Sequence, residues 1–450
     1  MALFSGDRHM RLRMRTWFRK GRVCLLALFG LCGMAHASDT QNPGDLRLVV
    51  VLSRHGVRSP TTAPESLDAF SSKPWPTWPV PPGYLTPHGK QLMSLMGHWY
   101  RAYYARAGLL SDHGCLTSSV YVVADDEERT LESAHGLMDG FDPGCAVDVH
   151  PSAKQGSDAL FSHAASGASD DDRAEAVAAV LGRVGGDPAR LALAHAGLLK
   201  QMQAILLDCA PHTCGDAQAA GKKILLDQPA SITATHGDGL VSIKSPLHNA
   251  STFAENFFLE YVQGMPMSDV AWGRISPIQL GQLLTLHTSF SDIELHTPII
   301  ARAYAGQLAT RILATLQQAT DSHALPNAIG AAQSKMVFLV GHDTNIETLA
   351  GLLNLHWMLP EQPADPAFTG GALVFELRST GVPARYIVNA YYASQSMEQM
   401  RNSTALDMAH PPQIAPIFIP GCSSAGPRYD CRLDRLAKLI AQASGSRSVH

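Results

Sequence analysis

Three short clusters in the chain bring together side chains that can act on a phosphate ester. Arg54-His55-Gly56-Val57-Arg58-Ser59-Pro60 sets an imidazole between two guanidiniums. Guanidinium forks match phosphate oxygens in bidentate pairs, and an imidazole held among them can attack as a nucleophile. Taken alone, an Arg-His-Gly tripeptide is no more than a polar turn. Asp125-Asp126-Glu127-Glu128-Arg129-Thr130 adds a third arginine, and Gly341-His342-Asp343-Thr344-Asn345 adds a second imidazole and an acid. Arg129 admits two readings, a cation paired with the neighbouring acids or a third phosphate-binding arginine.

Each cluster follows an apolar run that reads as a buried strand. Leu46 to Leu52, bounded upstream by Pro43 and Gly44, has the β-branched composition of a central strand in a parallel sheet. Val120 to Ala124 and Met336 to Val340 are two more such runs. Open α/β sheets place ligand sites at the carboxyl ends of their strands, so the three clusters are candidates for one site.

Asp125 reads as the N-cap of a helix running through Leu137, with the acids after it suited to a first turn. The third cluster leads into a helix from Ile346 to Leu353, and a strand, polar loop and helix N-terminus in that order can hold an anion. Further helices are expected over Thr86 to Leu110, over Ser251 to Gln263 as an amphipathic segment, and over Leu433 to Ala443. Leu373 to Glu376 and Tyr386 to Tyr392 read as later strands. Lys73 to Gly83 is too rich in proline for regular structure. It reads as an irregular packed loop, or alternatively as an aromatic rim over a pocket.

From about residue 164 to 295 the patterns are mainly helical. The expected fold class is therefore α/β, a mostly parallel central sheet with helices on both faces. The sheet domain would be discontinuous, from residues 38–165 and 296–450, with an α-helical domain inserted at 166–295.

The 450 residues are 46% hydrophobic and 16% charged, enough to bury a sizeable core. Seven basic residues from Arg8 to Arg22 precede the apolar run Val23 to Met34, and Ala35-His36-Ala37 follows. This is the pattern of a secretory signal peptide over residues 1–37, with an apolar run too short to span a bilayer. Export to the periplasm or the medium is expected. Cleavage after Ala37 leaves 28 basic and 38 acidic residues, a formal charge of −10. Such a body is a poor partner for nucleic acid or an anionic membrane, so a phosphate site must be a local basic pocket. Six cysteines remain beyond residue 37, Cys115, Cys145, Cys209, Cys214, Cys422 and Cys431, and in an exported chain they imply disulfides of undetermined connectivity. No Cys/His spacing of a zinc site is present, and no metal is expected.

Arg54-His55-Gly56-Val57-Arg58-Ser59-Pro60, Asp126-Glu127-Glu128-Arg129-Thr130 and Gly341-His342-Asp343-Thr344-Asn345 resemble the three signature stretches of the histidine acid phosphatases, in order and in spacing. The likeness extends to Trp75 to Val80, Ala254 to Gly273 and the cysteine positions, and is closest to bacterial periplasmic phytases and glucose-1-phosphatases. It implies a phosphoglycerate mutase-like fold and a monomeric phosphomonoesterase without a cofactor. It also implies His55 as nucleophile, Arg54, Arg58, Arg129 and His342 as a phosphate clamp, and Asp343 as proton donor to the leaving alcohol. The same resemblance pairs Cys115 with Cys145, Cys209 with Cys214, and Cys422 with Cys431. One position departs from it: bacterial phytases typically carry a lysine where Thr62 follows Pro60-Thr61. A non-catalytic phosphate-ester binding protein on the same fold is the competing reading, and it has no need of the acid. A mutase is disfavoured by export.

Overall fold

The computed structural model describes residues 44–153, 160–161, 168–209, 214, 221–235, 239–321 and 323–445. The expected signal peptide and the boundary near residue 165 lie outside them.

β1 (Asp45–Arg54) is the central strand of the main sheet. It pairs in parallel with β6 (Met336–Gly341), β6 with β2 (Val120–Ala124), and β2 with β3 (Val149–Pro151). On its other side β1 runs antiparallel to β7 (Ala372–Thr380), which pairs with β8 (Arg385–Ser394). β9 (Gln413–Ile417) and β10 (Cys431–Arg432) both add antiparallel to β8. The parallel half carries all three polar clusters, and the later strands extend the sheet antiparallel.

The apolar run in β1 is continuous because both faces of the sheet are covered. Leu48, Val50 and Leu52 pack with Val337, Leu339 and Phe375 beneath the helices Pro298–Asp321, Asp343–Leu353 and Leu433–Ala443. Val49 and Val51 pack with Val122, Phe338 and Val340 beneath Pro87–Arg106 and Glu128–Phe141. Thr86 caps the Pro87–Arg106 helix by accepting from Gly89 N at 2.9 Å, with Pro87 opening the first turn.

Residues 170–295 supply most of a third core, which Val57, Leu67, Phe70, Leu92, Phe368 and Met400 from outside that range help complete. Among the described residues of that range the regular structure is helical apart from an antiparallel pair, β4 (Ser231–Ala234) with β5 (Val241–Lys244). Their central helix, Pro246–Val262, differs from the amphipathic segment expected: every residue from Phe253 to Val262 is buried. Trp75 stacks on its Phe257 at 5.1 Å, Phe258 stacks on Phe368 at 4.7 Å, and the Pro277–Leu295 helix runs against it. From Phe253 onward the helix is thus enclosed on all sides, and Glu255 and Glu260 are buried with the aromatic residues. The proline-rich stretch is an irregular packed loop at Trp75, whose ring also meets Trp272 edge-on at 5.0 Å.

The helix starts at two of the clusters also shift from expectation. The third cluster's helix begins at Asp343, three residues early, and its cluster forms the first turn. The second cluster's helix begins at Glu128 with Glu127 at the N-cap position, so Asp125 does not cap it. Asp125 N instead donates to Val340 O at 3.0 Å, continuing the β2–β6 pairing by one residue and turning the side chain elsewhere. The cysteines pair as the resemblance implied, Cys115–Cys145, Cys209–Cys214 and Cys422–Cys431. Among the described residues no helix is long and apolar enough to cross a membrane.

Candidate active site

Register explains why three clusters far apart in sequence meet. β1, β6 and β2 are adjacent and parallel, with Arg54 opposite Gly341 and Ala124 opposite Val340. All three loops therefore leave the sheet at the same level. His55 N donates to Gly341 O at 2.9 Å, which pins the first loop to the third.

Two glycines permit this closeness. A Cβ on Gly56 would stand 2.9 Å from Gly89 O, and one on Gly341 would stand 2.5 Å from Asn345 Oδ1. Any side chain at the first would push the Pro87–Arg106 helix off the loop. At the second it would displace the Asn345 side chain, whose oxygen accepts from His342 N at 2.9 Å.

Arg54 is fully buried, and its charge is met by two carboxylates. Nη2 donates to Glu255 Oε1 at 2.5 Å and lies 2.9 Å from Asp343 Oδ2, while Nη1 donates to Ala367 O at 2.7 Å. Burial works against its charge, yet Asp343 and Glu255 outweigh it and hold the guanidinium above its ordinary range.

His55 is also buried, with Nδ1 2.8 Å from Gly56 O. A carbonyl only accepts, so Nδ1 carries the proton and Nε2 keeps its lone pair. Burial, followed by the charges of Arg54, Arg58, His342 and Arg129, drives the His55 imidazole well below its ordinary pKa. Neutrality is what a nucleophilic nitrogen needs.

Arg58 donates to Ser59 O at 3.1 Å, and burial lowers its pKa to about 10 despite the neighbouring Glu255 and Asp343. Arg129 donates to Glu127 Oε2 at 3.0 Å, so the pairing with a nearby acid is realised while its charge still acts on His55. Among the described residues, the buried Nε groups of Arg54, Arg58 and Arg129 have no protein acceptor. Three buried donors of this kind suit an anion with several oxygens.

His342 lies with its ring centre 5.6 Å from that of His55, at 71°. Its Nε2 is 2.6 Å from Asp125 Oδ2, and both side chains are buried. Asp343 remains partly open to the site, at 27% side-chain exposure. Burial would raise its carboxyl, but Arg54 first and then His55, His287 and Arg58 hold it far below the usual carboxylate range.

The match to known proteins agrees with this geometry. The model of the histidine phosphatase superfamily (branch 2) matches residues 45–401. The chain belongs to that superfamily. It is 32% identical to the phytase AppA of Escherichia coli over 90% of this chain and 93% of that protein. It is 28% identical to the glucose-1-phosphatase of Salmonella typhimurium, over 92% and 96% respectively. Among solved structures it resembles Hafnia alvei phytase in complex with tartrate, with a TM-score of 0.79 and 33% identity over 89% of this chain and 97% of that one. The phytase of Citrobacter braakii gives the same TM-score of 0.79 at 30% identity, over 89% and 98%. The protein is accordingly a phosphoric monoester hydrolase.

In this histidine phosphatase Arg54, His55, His342 and Asp343 come together at the sheet edge, and Arg58 and Arg129 are close enough to act on His55. Glu255, Asp125 and His287 belong beside them. His287 Nδ1 is 3.0 Å from Ser251 Oγ, and its charge acts on Asp343. Glu255 sits among phenylalanines at a spacing that passes for the polar face of a helix. Only knowing that helix to be enclosed marks it as a partner for a buried cation. Asp125 had a visible signal, an acid directly after a buried strand, but capping accounted for it equally well. Among the described residues, the one group with metal-ligand spacing is Cys115, Asp142 and Cys145, whose sulfurs are joined in a disulfide.

Proposed function

We propose that the enzyme is an exported acid phosphomonoesterase that accepts phytate, sugar phosphates and aryl phosphates, working through a phosphohistidine on His55. The observation that carries this reading is the tethered imidazole: Nδ1 held by Gly56 O, Nε2 free, and arginines on either side. Nε2 attacks phosphorus, the phosphorus–oxygen ester bond breaks, and the leaving oxygen takes the proton of the Asp343 carboxylic acid. A water then attacks the phosphohistidine and gives its proton to the Asp343 carboxylate. The phosphorus–nitrogen bond breaks, and inorganic phosphate leaves with Nε2 restored. Arg54, Arg58, Arg129 and His342 hold the phosphoryl oxygens, where charge sits during in-line transfer.

Asp343 is ionised in the free site, so its catalytic proton must arrive with the substrate. A phosphate monoester loses its second proton near pH ~6 and brings one below that. Once the dianion lies beside Asp343, its charge favours the protonated carboxyl. Meanwhile the depressed pKa of His55 keeps Nε2 free in acid. The rate kcat/KM should therefore be highest in mildly acidic solution and fall above about pH 6. No step draws on a metal, so a chelator should leave it unchanged. A pH–rate profile peaking in alkali, or inhibition by EDTA, contradicts the mechanism.

Substrate preference turns on the mouth of the site. Phytate carries several phosphates and gains from cations beyond the clamp, and half-buried Thr62 stands where bacterial phytases typically have lysine. A hydroxyl there bonds a sugar or a phosphate equally well. Thr62→Lys should raise kcat/KM for phytate about tenfold more than for glucose 1-phosphate, corresponding to roughly 1.4 kcal/mol of added transition-state binding. Equal changes for the two esters would remove Thr62 as the determinant.

Three disulfides support an oxidising compartment, in keeping with a signal peptide over residues 1–37 and a periplasmic location. A third core drawn mostly from residues 170–295, beside two that cover the faces of the sheet, supports reading that region as an insertion into a sheet domain built from both sides of it. The enzyme is taken as a monomer.

A further inference from the structure

We propose that Glu255 is a positioning residue for the proton transfer, the fixed counter-ion of Arg54 that leaves Asp343 free to change its charge. This rests on the reading of Asp343 as proton donor. One nitrogen of Arg54 serves both acids: Nη2 donates to Glu255 Oε1 at 2.5 Å and lies 2.9 Å from Asp343 Oδ2. The acids differ in what surrounds them. The Asp343 side chain is 27% exposed and partly open to the site, whereas that of Glu255 is 9% exposed, on the enclosed part of its helix. The other carboxylate oxygen, Oε2, lies 3.7 Å from His287 Nε2, and His287 Nδ1 is itself 3.0 Å from Ser251 Oγ. Burial would raise the Glu255 carboxyl, but Arg54, His287 and Arg58 outweigh it, and the like charge of Asp343, and hold it low.

During turnover Asp343 gives its proton to the leaving oxygen and regains one from the attacking water, so its charge changes twice. Arg54 is buried, and a buried cation left without an anion is strongly destabilised. Were Asp343 its only counter-ion, each protonation of Asp343 would uncover that charge, and the carboxylate would resist taking the proton. Glu255 removes this penalty by keeping Arg54 paired in both states. Its like charge also makes Asp343 easier to protonate, since two carboxylates on one cation disfavour ionising together. The remaining groups around Asp343 are His55, His287 and Arg58, which act in favour of its ionised form. Two acids also feel its charge, Glu294 from the Pro277–Leu295 helix and Glu347 one turn along its own helix.

The test compares two esters on the full enzyme, glucose 1-phosphate and a nitrophenyl phosphate, with inorganic phosphate as a competitive inhibitor. Glu255→Gln keeps the shape and removes the charge. It should lower kcat/KM about thirtyfold for the sugar phosphate and no more than about threefold for the aryl phosphate, a fall of about tenfold in their ratio. Inorganic phosphate should bind as tightly as before or more tightly, because an anion has left the neighbourhood of the clamp. A residue that merely shaped the arginine would give equal losses for both esters and weaker phosphate inhibition. That pattern overturns the proposal, as does an unchanged ratio. Asp343→Asn, run alongside, keeps the two readings apart. If it fails to separate the esters, the proton-donor reading is overturned; if it separates them and Glu255→Gln does not, only the role of Glu255 is. Should Glu255→Gln not fold, Glu255→Asp makes the same comparison by drawing the carboxylate back one methylene. Its ratio should fall about threefold, and an unchanged ratio is the contrary result.

Discussion

His55→Ala should lower kcat on an aryl phosphate on the order of 10⁵-fold, the largest loss for any single substitution in this enzyme. The arginines would still bind the phosphoryl group, so inorganic phosphate should remain an inhibitor while turnover stops. Wild-type enzyme mixed with labelled substrate and quenched in alkaline denaturant, where a phosphorus–nitrogen bond survives, should carry label on His55. The alanine variant should carry none. Label found elsewhere, or activity within about tenfold of wild type, removes His55 as the nucleophile. The depressed pKa of His55 adds a second expectation: the wild-type acid limb should lie below the range of an ordinary histidine.

Asp343→Asn should separate substrates by leaving group. The amide keeps the contact with Arg54 but has no acidic proton to give. A sugar phosphate, whose alkoxide leaves poorly, should lose about 10²- to 10³-fold in kcat/KM, whereas a nitrophenyl phosphate should lose less than about tenfold. Equal losses for both would mean that Asp343 orients Arg54 rather than moving a proton. Glu255 makes the distinction practical, since it keeps its own ion pair with Arg54 at 2.5 Å when the second carboxylate is neutralised.

Much of the parallel half of the sheet was legible because its cause is local. A continuous β-branched run such as Val49 to Leu52 has few alternatives to a doubly covered strand, and the clusters mark the strand ends. The adjacency of β1, β6 and β2 was not local, and it followed only from the expectation that polar strand ends share one edge. The enclosed helix Pro246–Val262 was misread because periodicity reports which residues alternate, not whether anything covers the far side. Asn256 and Glu260 look solvent-facing until Trp75, Phe368 and the neighbouring helices are in place. Asp125 was misread for a related reason: an acid at the end of a strand can cap a helix or reach across the sheet. Only the continued pairing with Val340 decides between them.

The order of the cysteines has a consequence for how the chain is made. Their partners are separated by 30, 5 and 9 residues, and each pair closes before the next cysteine is reached. A chain emerging from its amino end into an oxidising compartment would present Cys115 and Cys145 first, then Cys209 and Cys214, then Cys422 and Cys431. An oxidant that simply joins each cysteine to the following one produces the native set, and no later reshuffling is required. Biogenesis should thus depend on a thiol oxidase and be indifferent to loss of a disulfide isomerase.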